Sequence, residues 1–194
     1  MSSSFITNKD KFLSDIINGI LPKTDAVDFL VGYFYYSGYV QLSENLKSKH
    51  IRILVGLDIE IQISKHVCEV ENFRQKLLSR GVLKEQYYSE FVKAFNDTDF
   101  LDTAEKIEQF KMFYAKILDG TLEIRKTLDP CHSKMYLFVY NESMNEGGEL
   151  PGVMITGSSN LSYQGMQGRL ELNARFNDKA DYDEGHEIFE ELWR

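Results

Sequence analysis

The stretch CHSKMYLFVY, residues 131–140, sets a histidine and a lysine two positions apart at the head of an apolar run. Residues two apart in an extended segment project to the same side. His132 and Lys134 therefore share one face, while Cys131, Met135, Leu137 and Val139 share the other and suit a core. A second apolar run, GVMITGSSN at 152–160, ends in Gly157, Ser158, Ser159 and Asn160, where strand gives way to turn. Polar side chains at strand ends beside a turn are where open α/β sheets carry their sites. A third run, ELNARF at 171–176, sets Leu172, Ala174 and Phe176 against Glu171, Asn173 and Arg175, so that Glu171 can reach the face of His132.

Outward from these runs the order of elements is readable. AVDFLVGYFYY (26–36) is β-branched and aromatic and predicts a buried strand, with Ser37 and Gly38 as a turn. YVQLSENLKSK (39–49) predicts a short helix and IRILVGL (51–57) a second buried strand, together a parallel crossover unit. KDKFLSDIING (9–19) places Phe12, Leu13, Ile16 and Ile17 on one helical face, with Gly19 as a stop. The middle reads as helical, through HVCEVENFRQKLLSRG (66–81) and DTAEKIEQFKMFYAKILDG (102–120), the latter opened by Asp102 and Glu105 in a capping-box arrangement. IEIQIS (59–64) fits a strand or a helix start. Strands return as LEIRKT, SKMYLFVY, GVMITG and ELNARF, then an amphipathic helix from Tyr182 to Trp193; NESMNEGGELPG (141–152) is a loop.

A chain of 194 residues suits one domain, spanning 1–194, and its end inside the helical pattern ELWR reads as the N-terminal part of something longer. No apolar run has the length of a membrane span, and MSSSFITNKDKF lacks the layout of a secretion signal. Cys68 and Cys131 are too few for a disulfide scaffold, so the expected compartment is the cytoplasm. A net charge of −8 argues against a protein that coats nucleic acid nonspecifically. The charge is uneven, however: Arg125, Lys126, Lys134, Arg169 and Arg175 flank the motifs, and the acids crowd into NDKADYDEGHEIFEELW (177–193).

These residue types suit a phosphodiester. Lys134 and the Asn160 amide can meet non-bridging oxygens, and a neutral imidazole at His132 can attack phosphorus. Glu171 can hold the other ring nitrogen; a proton donor for the leaving oxygen is missing. Ser158 and Ser159 serve equally to cap the turn or to bind substrate. YFYY (33–36) offers aromatic rings for base stacking, although rings in so apolar a run favour the core. His66, Cys68, Cys131 and His132 lack the Cys pairing of a zinc site, and His186 in an acidic helix reads as solvated, so neither metal nor cofactor is expected.

HSK at 132–134 followed by GSSN at 157–160 resembles the HKD motif of the phospholipase D superfamily, His-x-Lys then Gly-Ser-x-Asn. Glu171 matches the glutamate that the nuclease branch carries downstream, and VDFLVGYFYYSG followed by IRILVG is similar to the opening of phospholipase D-like domains. Such domains stand at the N-terminus of bacterial Swi/Snf-type helicases and in some restriction endonucleases. The resemblance implies an α/β fold, a mixed-sheet α/β/α sandwich, and metal-independent cleavage through a phosphohistidine, on DNA in preference to RNA. In the family two motifs meet, one histidine as nucleophile and one as acid. Only one His-x-Lys is present here, because His50, His66 and His186 are followed two positions on by Arg52, Cys68 and Ile188. The resemblance therefore implies a homodimer, attached to a helicase or restriction module. Val139 stands where the motif has its Asp. That departure counts against a phospholipase and leaves two readings, a nuclease and a non-catalytic nucleic-acid-binding or dimerisation module with the same fold.

Overall fold

In the computed structural model, residues 4–59 and 104–194 are described. A short strand β1 (Phe5–Ile6) leads to helix α1 (Leu13–Ile20), whose buried face is Leu13, Ser14, Ile17 and Ile20. Phe12 stays outside as the residue before the helix, and Gly19 does not end it. The helix runs on into a 3₁₀ turn at Leu21–Lys23, where Pro22 sits in the first turn and supplies the break that Gly19 was expected to give.

Strand β2 (Thr24–Phe34) follows, then two short helices, α2 (Tyr36–Val40) and α3 (Ser43–Leu46), then strand β3 (His50–Ile59). β2 and β3 pair in parallel, so the predicted crossover is present. Ser37 and Gly38 lie inside α2 rather than in a turn, and the single predicted helix is broken at Gln41 and Leu42. The helix predicted over 66–81, the proposed cap at Asp102 and all of IEIQIS except Ile59 fall outside the described residues. Helix α4 (Ala104–Asp119), β4 (Leu122–Lys126), β5 (Met135–Tyr140), β6 (Gly152–Gly157), β7 (Asn173–Phe176) and α5 (Lys179–Trp193) complete the described elements. The last helix starts earlier than predicted, because the Asp178 side chain accepts from the Asp181 amide at 3.0 Å and caps it.

The seven strands form one mixed sheet in the order β1-β7-β6-β5-β2-β3-β4. β2, β3 and β4 run parallel, and β5, β6, β7 and β1 continue antiparallel from β2. Hydrophobic residues fill both faces. Leu13, Ile17, Phe29, Phe34, Tyr39, Phe113 and Phe138 pack together on one side with α1, α2 and α4. Leu30, Leu54, Met135 and Leu137 meet Tyr182, Phe189 and Trp193 of α5 on the other. The result is the expected α/β/α sandwich.

Arg52 pins α5 to the sheet. Its guanidinium donates to both carboxylate oxygens of buried Asp28, at 2.6 and 2.7 Å, and to Glu190 of α5 at 2.6 Å. It also lies over the rings of Phe189 and Trp193, 4.9 and 5.3 Å from their centroids. Hydrogen bonding to Asp28 is the main reason that its pKa is raised.

ELNARF does not bury its apolar set as a block. Leu172 is exposed, whereas Asn173 is buried, because the strand starts only at Asn173 and turns that side chain inward. There Asn173 Nδ2 donates to the Ser159 hydroxyl at 2.9 Å, and its Oδ1 accepts from the Ser159 amide at 3.3 Å.

Candidate active site

The site forms where β5 begins and where β2 and β6 end. β2 and β5 pair as far as Leu30 opposite Met135. Before Met135 the segment 131–134 leaves the ladder and crosses the ends of β2 and β3, with the Cys131 amide donating to the Gly56 carbonyl at 3.1 Å. Two glycines make that crossing possible. A Cβ on Gly56 would stand 1.8 Å from the Cys131 carbonyl oxygen. Gly32 lies at a register shift between Val31 and Tyr33, and a Cβ there would stand 3.3 Å from Asn160 Oδ1, 3.5 Å from Lys134 Nζ and 3.6 Å from His132 Cδ2. Three residues from two distant segments thus converge over one backbone position that carries no side chain. The sequence signal for both is glycine inside a strand pattern, the known sign of a bulge or a close backbone approach.

Each side chain of the cradle has a defined setting. Lys134 is 4% exposed, and its ammonium lies 2.8 Å from Nδ1 and 3.3 Å from Nε2 of His132, also donating to the His132 carbonyl at 2.6 Å. An ammonium donates and does not accept, so in this contact the His132 ring nitrogen is the acceptor. Burial lowers the Lys134 pKa, and the charge of Glu171 partly opposes that shift. His132 itself is exposed, with its ring set edge-on to Tyr33 at 6.3 Å. Asn160 Oδ1 accepts from the Tyr33 amide at 2.9 Å. A backbone amide only donates, so the oxygen is fixed toward β2 and the NH₂ group is left for a ligand.

Glu171 is placed beside the cradle but not on His132. Its carboxylate accepts from the Ser158 hydroxyl, which in turn accepts from the Leu172 amide at 3.0 Å. Ser159 is set apart from the others. It is fully buried, its hydroxyl is taken by Asn173, and its carbonyl accepts from the Tyr136 hydroxyl at 2.8 Å, so it anchors the turn.

A cleft of about 440 Å³ opens beside the cradle, lined by Tyr33, Tyr35, Asn160, Tyr163, Arg169 and Glu171 among others. Of the basic residues expected near the motifs, Lys134 and Arg169 are at this site. Arg125 instead lies 4.3 Å over the Trp193 ring, and Lys126 is 4.0 Å from Asp58. Among the described residues, the cluster that could hold a metal ion is Asp28, His186 and Glu190. Arg52 already bonds both of its carboxylates, and none of the three lines the cleft.

Residues 28–193 match the family model described as cardiolipin synthase, PLD-like domain, and the chain belongs to this phospholipase D-like family. The phospholipase D family member Nuc from Salmonella typhimurium has a similar fold, with a TM-score of 0.50 at 9% identity over 99% of this chain and 93% of Nuc. The polyphosphate kinase from Porphyromonas gingivalis matches with a TM-score of 0.51 at 11% identity over 98% of this chain, which spans only 22% of that kinase. No curated protein sequence matches the chain. Among the described residues, no helix is long and apolar enough to cross a membrane.

Proposed function

We propose that this domain hydrolyses nucleic-acid phosphodiesters, DNA in the first place, through a phosphohistidine and without a metal ion. The observation that carries the reading is the convergence of His132, Lys134 and Asn160 over Gly32. Lys134 and the Asn160 amide hold the non-bridging oxygens, and a ring nitrogen of His132 attacks phosphorus. A P–N bond forms, one P–O bond breaks, and the leaving oxygen takes a proton. Water then attacks phosphorus, the P–N bond breaks, and the imidazole is released with the phosphate monoester. Glu171 is the positioning carboxylate: it fixes the turn through Ser158 and supports the charge of Lys134.

Among the described residues, the lining of the cleft includes no second histidine to act as the proton donor. His50 and His186 line a different cavity, with Asp28, Arg52 and Val139. A homodimer meets the need, His132 of the partner subunit serving as the acid. In the full-length protein the domain would be directed by a helicase or restriction module. Val139, partly buried opposite Ala26 of β2 in place of the motif's Asp, favours a second reading in which the cradle binds a phosphate backbone without turnover.

Plasmid and oligonucleotide cleavage in excess EDTA at low salt, with His132→Ala in parallel, separates the two. Cleavage by the wild type alone supports the hydrolase. Binding without cleavage supports the second reading, and equal cleavage by both proteins removes His132 from the mechanism.

A further inference from the structure

The run YFYY is divided by the fold. Phe34 and Tyr36 are buried, at 0% and 2%, in the core on the α1 side of the sheet. Tyr33 and Tyr35 alternate with them and line the cleft, where Tyr163 joins them from the turn after Asn160. Tyr35 and Tyr163 are large aromatic side chains left 42% and 45% exposed. Their backbone, in contrast, is held firmly. The Tyr35 amide donates to the Leu161 carbonyl at 2.9 Å, and the Tyr163 amide donates to the Ser37 hydroxyl at 3.2 Å. Gly38 presses against the same segment, since a Cβ on it would stand 2.3 Å from the Ser162 amide nitrogen. Two separate stretches are thus stitched together with their tyrosines on the walls of one cleft.

We propose that this cleft is a base-stacking subsite, and that the domain acts on single-stranded nucleic acid, with an unpaired base against Tyr35 and Tyr163 while the cradle holds the adjacent phosphate. This rests on the phosphodiester reading and adds the substrate class to it. The cleft, at about 440 Å³, has the size of a small-ligand site. Asn160 and Glu171 belong both to its lining and to the group around the cradle, so base and phosphate sites are contiguous. Arg169 lines the same cleft, which places a cation there for the backbone. In a duplex both faces of a base are covered by its neighbours; an unpaired base offers a free π-face to a tyrosine ring. Stacking of this kind tolerates any base, so the subsite selects strandedness rather than sequence.

The test is fluorescence anisotropy on the 194-residue chain with three labelled probes: an oligothymidylate, an abasic strand of equal length, and a duplex. The oligothymidylate should bind about tenfold more tightly than the abasic strand, and Tyr35→Ala and Tyr163→Ala should each remove about tenfold on the oligothymidylate alone. Tyr35→Phe and Tyr163→Phe should keep that affinity, because the ring and not the hydroxyl does the stacking. Equal affinity for thymidylate and abasic strands, with both weakened by Lys134→Ala, overturns the subsite and leaves the cradle standing. Tyrosine-dependent binding that ignores Lys134→Ala leaves the stacking surface standing and overturns the cradle. Duplex bound as tightly as the single strand, no binding by the wild type, or tyrosine-dependent binding to anionic phospholipid vesicles instead, each overturns the proposal.

Discussion

The carboxylate of Glu171 accepts from the hydroxyl of Ser158 across the turn that carries Asn160. Among the described residues, no hydrogen bond joins it to His132. Its influence on Lys134 runs through charge, because it opposes the loss of the Lys134 proton that burial favours.

A pH profile follows from that arrangement. In the proposed mechanism Lys134 holds phosphate only while protonated, and burial puts its folded pKa below the usual lysine value. Cleavage should therefore fall on the alkaline side earlier than an ordinary lysine would dictate. Glu171→Gln removes a charge that raises this pKa, so the alkaline limb should move to lower pH. Measurement of kcat/KM against pH for both proteins checks it, and a limb that moves upward would reject the role.

Gly32→Val puts branched carbon where Asn160, Lys134 and His132 meet, the nearest of these atoms being 3.3 Å from a bare Cβ. Displacement of the cradle by about 1 Å should cost roughly 100-fold in kcat. Far-ultraviolet circular dichroism should be unchanged. A fully active Gly32→Val protein would mean that the three residues do not act together.

Gly56→Ala is the harsher change in stability, since its Cβ would stand 1.8 Å from the Cys131 carbonyl oxygen. Backbone must move, at a cost of about 1–3 kcal/mol. Urea denaturation should show the loss as a lower midpoint.

Asn160→Asp keeps the acceptor for the Tyr33 amide and replaces the NH₂ donor with a second oxygen. The fold should survive while binding of a phosphodiester strand falls by about tenfold or more, through repulsion and the lost donor. Anisotropy titration beside a melting curve separates the two effects.

Arg52→Met strips the partner from Asp28, whose side chain is 3% exposed, and from Glu190. Leaving a buried carboxylate unpaired costs about 3–5 kcal/mol. Denaturant unfolding of the Arg52→Met protein should show a loss of that size, and adding Asp28→Leu should recover part of it.

Much of this was legible in the sequence because strand periodicity and the HSK and GSSN motifs are local signals. Met135 and Leu137 fall on one face of the sheet as alternation requires, and His132, Lys134 and Asn160 do come together. What was not legible depended on partners distant in the chain. Nothing local in ELNARF says that Asn173 turns inward, because the reason is the buried polar backbone at Ser159. Ser158 and Ser159 look alike in sequence, yet one is exposed on Glu171 and the other is sealed beneath the turn. The division of YFYY into core and cleft required knowing that both faces of β2 are covered, and where that cover stops.

The Tyr33–Asn160 bond spans 127 positions of the chain. Contacts that distant raise the contact order of the chain, which slows folding. His132 and Lys134 are neighbours in the chain, whereas Asn160 joins them only where β6 is seated on β5 and its side chain reaches β2. The convergence of His132, Lys134 and Asn160 over Gly32 is thereby tied to completion of the sheet.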